Sequence, residues 1–182
     1  METLKKIVKG CIKQSKADQH KLYAMFSAKM YGVCLRYASN MHDAQDILQE
    51  GFIKVFDNLH TFKWQGSLEG WMKKIMIHSA IEKYRLRVNH LNSEDLWNST
   101  GNFYENEGPG KVALDELLNM IQDLPDQYRM VFNLSVIEGY NHKEIGQKLG
   151  ILESTSRSNL ARARHILQQL LMKEASVLQK VI

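Results

Sequence analysis

An all-α protein is what this sequence predicts, built as two small helical domains joined by a flexible linker. Three observations carry the expectation. Apolar residues recur at three- and four-residue spacing from about Asp18 to Arg87 and again from about Lys111, with no sustained apolar/polar alternation to mark strands. Between those stretches five asparagines (Asn89, Asn92, Asn98, Asn102, Asn106), three glycines and one proline gather, and the helical period vanishes. Only 2 prolines and 11 glycines in 182 residues leave room for long helices, and 44% hydrophobic with 24% charged residues is ordinary for a globular chain.

Taken in order, METLKKIVKGC is too charged for a secretion signal, so residues 1–17 are expected to be an N-terminal tail or short basic helix. Residues 18–88 carry three stripes: Leu22, Met25, Phe26 and Met30; Ile47, Leu48, Phe52, Val55 and Phe56; Met72, Ile75, Met76 and Ala80. Met and aromatic residues at that spacing belong to the interior of a helical bundle. Residues 89–111 form the linker, whose Trp97, Phe103 and Tyr104 are unusual for an inert tether.

Residues 112–182 resume the helical pattern. Val112, Leu114, Leu117, Leu118 and Ile121 lead to Leu124-Pro125, where proline suits a first helical turn. The next helix passes through Tyr128, Val131, Phe132 and Val136 and should stop at Gly139. Asn141 with Glu144 makes a capping box for a helix that Gly150 closes, and a last helix opens near Glu153 and runs past Leu171. Two helices joined through a glycine turn, the second studded with cations, read as a helix-turn-helix.

Sorting that last helix at about 100° per residue puts Leu160, Ala163, Leu167, Leu170 and Leu171 on the packing side. Ser154, Ser158, Arg162, His165 and Gln169 lie opposite, with Arg157 and Arg164 on one flank. Short hydroxyls permit close approach to a major groove while arginines reach base edges or phosphates. From Asn141 to Leu171 five cations (Lys143, Lys148, Arg157, Arg162, Arg164) face two anions, Glu144 and Glu153.

A second cluster, residues 62–87, begins with an aromatic, glycine-bearing loop. Trp71, Lys74, His78 and Arg85 share one side of the helix after it, and rings beside cations suit unpaired nucleotides. The alternative is rings that plug the bundle beside a solvated basic edge. A third cluster, residues 41–60, is acidic. Asp43, Asp46, Gln49 and Glu50 follow helical spacing on a chain of net charge +4, a pattern that fits a basic protein surface better than nucleic acid, or else an ordinary solvated face.

Other chemistry finds little footing. No phosphate-binding glycine loop, HExxH or nucleophile motif occurs, so no catalytic residue, cofactor or small-molecule substrate is expected. Cys11 and Cys34 lack ligand spacing, so no metal is expected, and idle thiols in a reducing cytoplasm fit better. No apolar run nears the roughly 18 residues of a membrane span, so no direct membrane insertion is expected.

Four motifs in order, DAQDILQEGFIKVF, FKWQGSLEGWMKKI, LPDQYRMVFNLSVIEGYNHKEIGQKLG and STSRSNLARAR, resemble the extracytoplasmic-function (ECF) group of the sigma-70 family of RNA polymerase promoter-recognition subunits. The resemblance spans about 150 residues, from near His20 to Leu171. It implies that 18–88 is a sigma region 2 bundle and 112–182 a region 4 helix-turn-helix, the linker running toward the polymerase's RNA channel. The implied partners are core RNA polymerase (β′ clamp helices and β flap), promoter DNA and an anti-sigma factor. Asp43, Asp46, Gln49, Glu50 and Ile53 would bind the core. Phe62, Lys63, Trp64, Ser67, Trp71, Lys74, His78 and Arg85 would hold the opened −10 element, with a flipped base in the loop before Trp71. Ser154, Thr155, Arg157, Ser158, Asn159, Arg162, Arg164 and His165 would read the −35 duplex. Asn159 stands where the family commonly has arginine, His78 where asparagine is frequent, and Gly146 where alanine is usual. The alternative is a helix-turn-helix transcriptional regulator with a helical sensor or dimerisation domain, which would bind a near-palindrome as a dimer without polymerase.

Overall fold

The computed structural model of the chain describes residues 2–90 and 112–181, and side chains at 2–88 and 117–173. The described residues hold α-helices, one 3-10 turn and one π-helical turn, and no strand. The chain divides into two compact units, Met1–Lys83 and Tyr84–Ile182. The expected linker, with Trp97, Phe103 and Tyr104, lies outside the described residues apart from 89 and 90, which still belong to a helix.

In the first unit, α1 spans Glu2–Ile12, α2 Lys16–Tyr37 and α3 Met41–Asn58; the 3-10 turn Leu59–Thr61 follows, and α4 begins at Leu68 and runs to His90. The first residues are therefore a helix and not a tail. Its buried Ile7 and Val8 lie one helical turn before buried Cys11, and the helix packs on α2. The Ser15 hydroxyl caps α2 through the Asp18 N–H, and Asn40 caps α3, its side chain accepting from the Asp43 N–H at 2.8 Å. The core joins Leu22, Phe26 and Met30 of α2 to Ile47 and Val55 of α3 and Met72, Met76 and Ala80 of α4. Gly51 lets α3 approach α4 closely: a Cβ there would lie 2.2 Å from the Met76 sulfur. Met25 was expected in the α2 stripe but is exposed, since it sits about 100° from the middle of the Leu22–Phe26–Met30 arc.

In the second unit, α5 spans Val112–Gln122, α6 Asp126–Phe132, the π turn Asn133–Ile137, α7 His142–Leu149 and α8 Glu153–Val181. Met120, Leu124, Tyr128, Ala163 and Leu167 form its core. The π turn closes with the Glu138 N–H on the Asn133 carbonyl, and the extra residue it takes into the turn breaks the 100° step, so Val136 stands exposed instead of continuing the stripe. Leu117 and Leu171, also expected inside, are exposed at the edges of their helical stripes. Gly139 ends the segment at φ +77°. The Asn141/Glu144 capping box forms as expected, and Gly150 closes α7 in the left-handed conformation at φ +71°.

Both cysteines are free and buried. Burial pushes the Cys34 thiol up to about 12, and burial followed by the nearby Asp18 charge raises Cys11 as well. Each therefore stays a protonated thiol at neutral and mildly basic pH. A disulfide-exchange thiol reagent at pH 8 is expected to label neither in the native protein and both in urea. Rapid labelling of one native thiol would contradict this packing.

Candidate nucleic-acid and protein-binding surfaces

Residues 62–67 connect the 3-10 turn to α4. The loop needs two left-handed positions, Trp64 at φ +59° and Gly66 at φ +106°. It ends where the Ser67 hydroxyl accepts from the Gly70 N–H at 3.0 Å and starts α4. The rings of Phe62 and Trp64 stand 5.1 Å apart, and those of Phe62 and Trp71 5.5 Å. Beside them opens a hollow of about 390 Å³ lined by Phe62, Lys63, Gly66, Ser67, Trp71 and Lys74. The structure thus brings Phe62, Lys63, Ser67, Trp71 and Lys74 together, with Trp64 packed behind Phe62. Exposed His78 lines an adjoining hollow with Trp71 and Ile75, and Arg85 lies exposed farther along the same side of α4. An aromatic cleft with cations at its mouth can stack a planar ring and hold a phosphate.

On α8 the exposed side chains are Ser154, Arg157, Ser158, Arg162, Arg164 and His165, while Thr155 is half-buried. Asn159 does not belong with them. It is 4% exposed, one residue before buried Leu160, and faces the unit's interior, so no groove contact can be built on it. Arg157 pairs with Glu153. Arg162 donates to the Tyr128 hydroxyl at 3.2 Å, and His165 meets Gln169 at 3.0 Å. The helix-turn-helix is locked by groups that sequence reasoning did not single out: His142 Nδ1 lies 2.9 Å from the hydroxyl of fully buried Ser156, joining α7 to α8. Gly146 admits the returning turn, because a Cβ there would stand 2.7 Å from the Ile151 carbonyl oxygen.

The acidic stretch of α3 is less free than its sequence implies. Asp43 is buried: its carboxylate accepts from the Ser39 N–H at 2.9 Å and pairs with Lys83 at 2.8 Å. It is a capping and bridging residue, which removes it from any exposed acidic face. Asp46 also bonds Lys83, at 2.9 Å, and that hydrogen bond holds its carboxyl below the usual range. Burial works against the Lys83 ammonium, yet the hydrogen bonds to Asp43 and Asp46 keep its pKa above the ordinary lysine value. Gln49, Glu50 and Ile53 remain exposed. Ile53, at 55% exposure, rims an apolar hollow of about 550 Å³ with Tyr23, Leu48, Phe52 and Phe56. Tyr23 reaches it from α2, its ring 4.6 Å from that of Phe52, a pairing no local pattern announces.

The family model for Sigma-70 region 2 matches residues 22–89, and that for Sigma-70, region 4 matches residues 114–167. The chain belongs to the sigma-70 family. Its relatives place it in the ECF group. ECF RNA polymerase sigma factor SigE of Mycolicibacterium smegmatis is 30% identical over 154 residues, covering 81% of this chain and 59% of that one. ECF RNA polymerase sigma factor SigW of Bacillus subtilis is 29% identical over 179 residues, covering 90% and 96%. A solved structure, the sigma factor RpoE in complex with the anti-sigma factor NepR from Bartonella quintana, shares the fold at a TM-score of 0.50 and 20% identity, over 85% of this chain and 97% of that one. This sigma factor is a transcription initiation factor and not an enzyme. Its first unit matches region 2, which sets aside a sensor or dimerisation domain. No helix among the described residues is long and apolar enough to cross a membrane.

Proposed function

We propose that this sigma factor recruits core RNA polymerase to promoters through three separate surfaces, with region 2 at 18–88, a linker at 89–111 and region 4 at 112–182. Half-exposed Asp46 and exposed Gln49, Glu50 and Ile53 on α3 meet the β′ clamp helices. Ser154, Ser158, Arg162 and His165 on α8, with Thr155, Arg157 and Arg164 at its edges, enter the −35 major groove. Phe62, Lys63, Ser67, Trp71 and Lys74 hold a base flipped from the −10 element, with His78 and Arg85 farther along the strand. Region 4 also meets the β flap. An anti-sigma factor competing for the α3 surface is the expected regulator, and the cytoplasm, where polymerase acts, is the expected compartment.

The observation that carries this reading is the hollow beside Phe62 and Trp71, open to solvent and rimmed by Lys63 and Lys74. Unpairing a base costs a few kcal/mol, and stacking in such a cleft returns about 1–3 kcal/mol per base. Melting is thus favoured by what the open strand gains, with no covalent step. On α8, the bond from Arg162 to the Tyr128 hydroxyl ties the exposed side of the helix to α6 and steadies the guanidinium there.

Run-off transcription with the host's core polymerase and candidate promoters tests the reading directly. Arg162→Ala is expected to weaken −35 binding about 10- to 100-fold and to flatten preference at the base it contacts. Unchanged discrimination at every −35 position would mean that another face of α8 reads the DNA. A dimer that binds a near-palindrome without core polymerase would favour the conventional regulator.

A further inference from the structure

The helix α1 has no part in the surfaces above, yet it reaches the base-capture loop. We propose that α1 is a positioning element for that loop, acting through Lys5, which sits over the Trp64 ring. The inference rests on the reading that the 62–67 hollow takes a flipped base.

Trp64 is the pivot. A bulky side chain at φ +59° occupies a conformation that persists only where neighbours impose it. Two neighbours do so. Phe62 packs against the Trp64 ring with centroids 5.1 Å apart, and the Lys5 ammonium lies 5.4 Å from the ring centroid, within cation–π range. Lys5 has a firm base, because α1 buries Ile7, Val8 and Cys11 against α2 and also packs on the 3-10 turn Leu59–Thr61 that feeds the loop. Leu59 itself is 1% exposed, so the turn is anchored where α1 touches it.

Trp64 does not line the hollow, but Phe62 does. The path therefore runs from Lys5 to Trp64, from Trp64 to Phe62, and from Phe62 to the cavity wall it shares with Trp71. Removing the cation frees Trp64 to relax toward an ordinary backbone conformation, and the wall moves with it. A lysine near DNA could instead act as a plain phosphate ligand, and the two roles have different signatures.

The test uses the full-length chain bound to core polymerase and, as probe, the single-stranded oligonucleotide that the wild type enriches from a random pool. Lys5→Ala is expected to weaken binding about 3- to 5-fold, the effect of one exposed cation–π contact, and Lys5→Arg to restore it. The double variant Lys5→Ala/Trp64→Ala should bind no more weakly than Trp64→Ala alone, since Lys5 acts through the ring. The dependence of log affinity on log salt should keep its slope, and the melting temperature of Lys5→Ala should match the wild type because Lys5 is exposed. Additive losses, with a slope shallower by about 0.7, would make Lys5 a direct phosphate ligand and overturn the positioning role. Wild-type affinity in Lys5→Ala would overturn it as well. A wild type that enriches no oligonucleotide would overturn the base-capture reading itself, and this role with it.

Discussion

Replacing Arg129 with alanine is expected to destabilise region 4 by about 3–5 kcal/mol, most of what a helical unit of this size has to lose. The side chain is 1% exposed. Its Nη1 donates to the carbonyls of Gln122 at 2.7 Å and Leu124 at 2.8 Å, and its Nη2 pairs with the buried Asp126 carboxylate. Those carbonyls end α5 and begin the connection to α6, where helix geometry leaves them without intrahelical donors. One guanidinium thus closes the end of α5 and ties down the first turn of α6. Alanine would strand both carbonyls and strip Asp126 of the donor at Oδ1, and the desolvation cost of each group would fall on the folded state. Circular dichroism should show lost helix and a lower melting temperature, and −35 duplex binding should disappear with the fold. Arg129→Lys should recover only part of the loss, since a single ammonium cannot fork to three acceptors spaced this way. Wild-type melting in Arg129→Ala would show that the network carries no net stability.

Arg129 also marks the limit of what the sequence discloses. Local signals translated faithfully. The Asn141/Glu144 box, the stops at Gly139 and Gly150 and the break before Ser67 each depend on residues within a few positions of one another. The exposed side of α8 followed from helical period alone, because Ser154, Ser158, Arg162 and His165 recur at three- and four-residue steps. Polar residues that the fold turns inward misled it. Asp43 and Asn159 look like surface groups by type, yet one is drawn in by Lys83, 40 positions away, and the other shares a helix side with Leu160 and Ala163. Val136 failed for a geometric reason, since a π turn breaks the 100° step that the pattern assumes. Contacts between distant segments, such as Tyr23 on Phe52 and Lys5 over Trp64, leave no periodic trace.

The same distant pairing changes how the polymerase surface should be tested. Reversing Asp46 to lysine would set two ammonium groups against each other, because Asp46 and Lys83 are bonded at 2.9 Å. Lost binding in that variant would mix repulsion within region 2 with repulsion at the interface. Glu50 is exposed and makes a cleaner rim charge, and its reversal should mainly slow association and alter salt dependence.

Ile53→Asp is expected to weaken core-polymerase binding about 30-fold or more. An isoleucine left 55% exposed beside an apolar hollow of about 550 Å³ is surface that water covers poorly and a partner covers well. Tyr23, Phe52 and Phe56 supply the aromatic floor, and Gln49 and Glu50 form a polar margin, an arrangement in which a central apolar contact carries a large share of the binding energy. About 2 kcal/mol at such a centre corresponds to roughly 30-fold in Kd. Aspartate there would bring a charge into the dehydrated middle of the contact, while in the free protein it would remain in water and leave the melting temperature nearly unchanged. Titration of fluorescent core polymerase with the variant measures the loss, and the same protein should keep wild-type affinity for −35 duplex through α8. If Ile53→Asp and Glu50→Lys both bind core polymerase as the wild type does, the docking surface lies elsewhere on region 2.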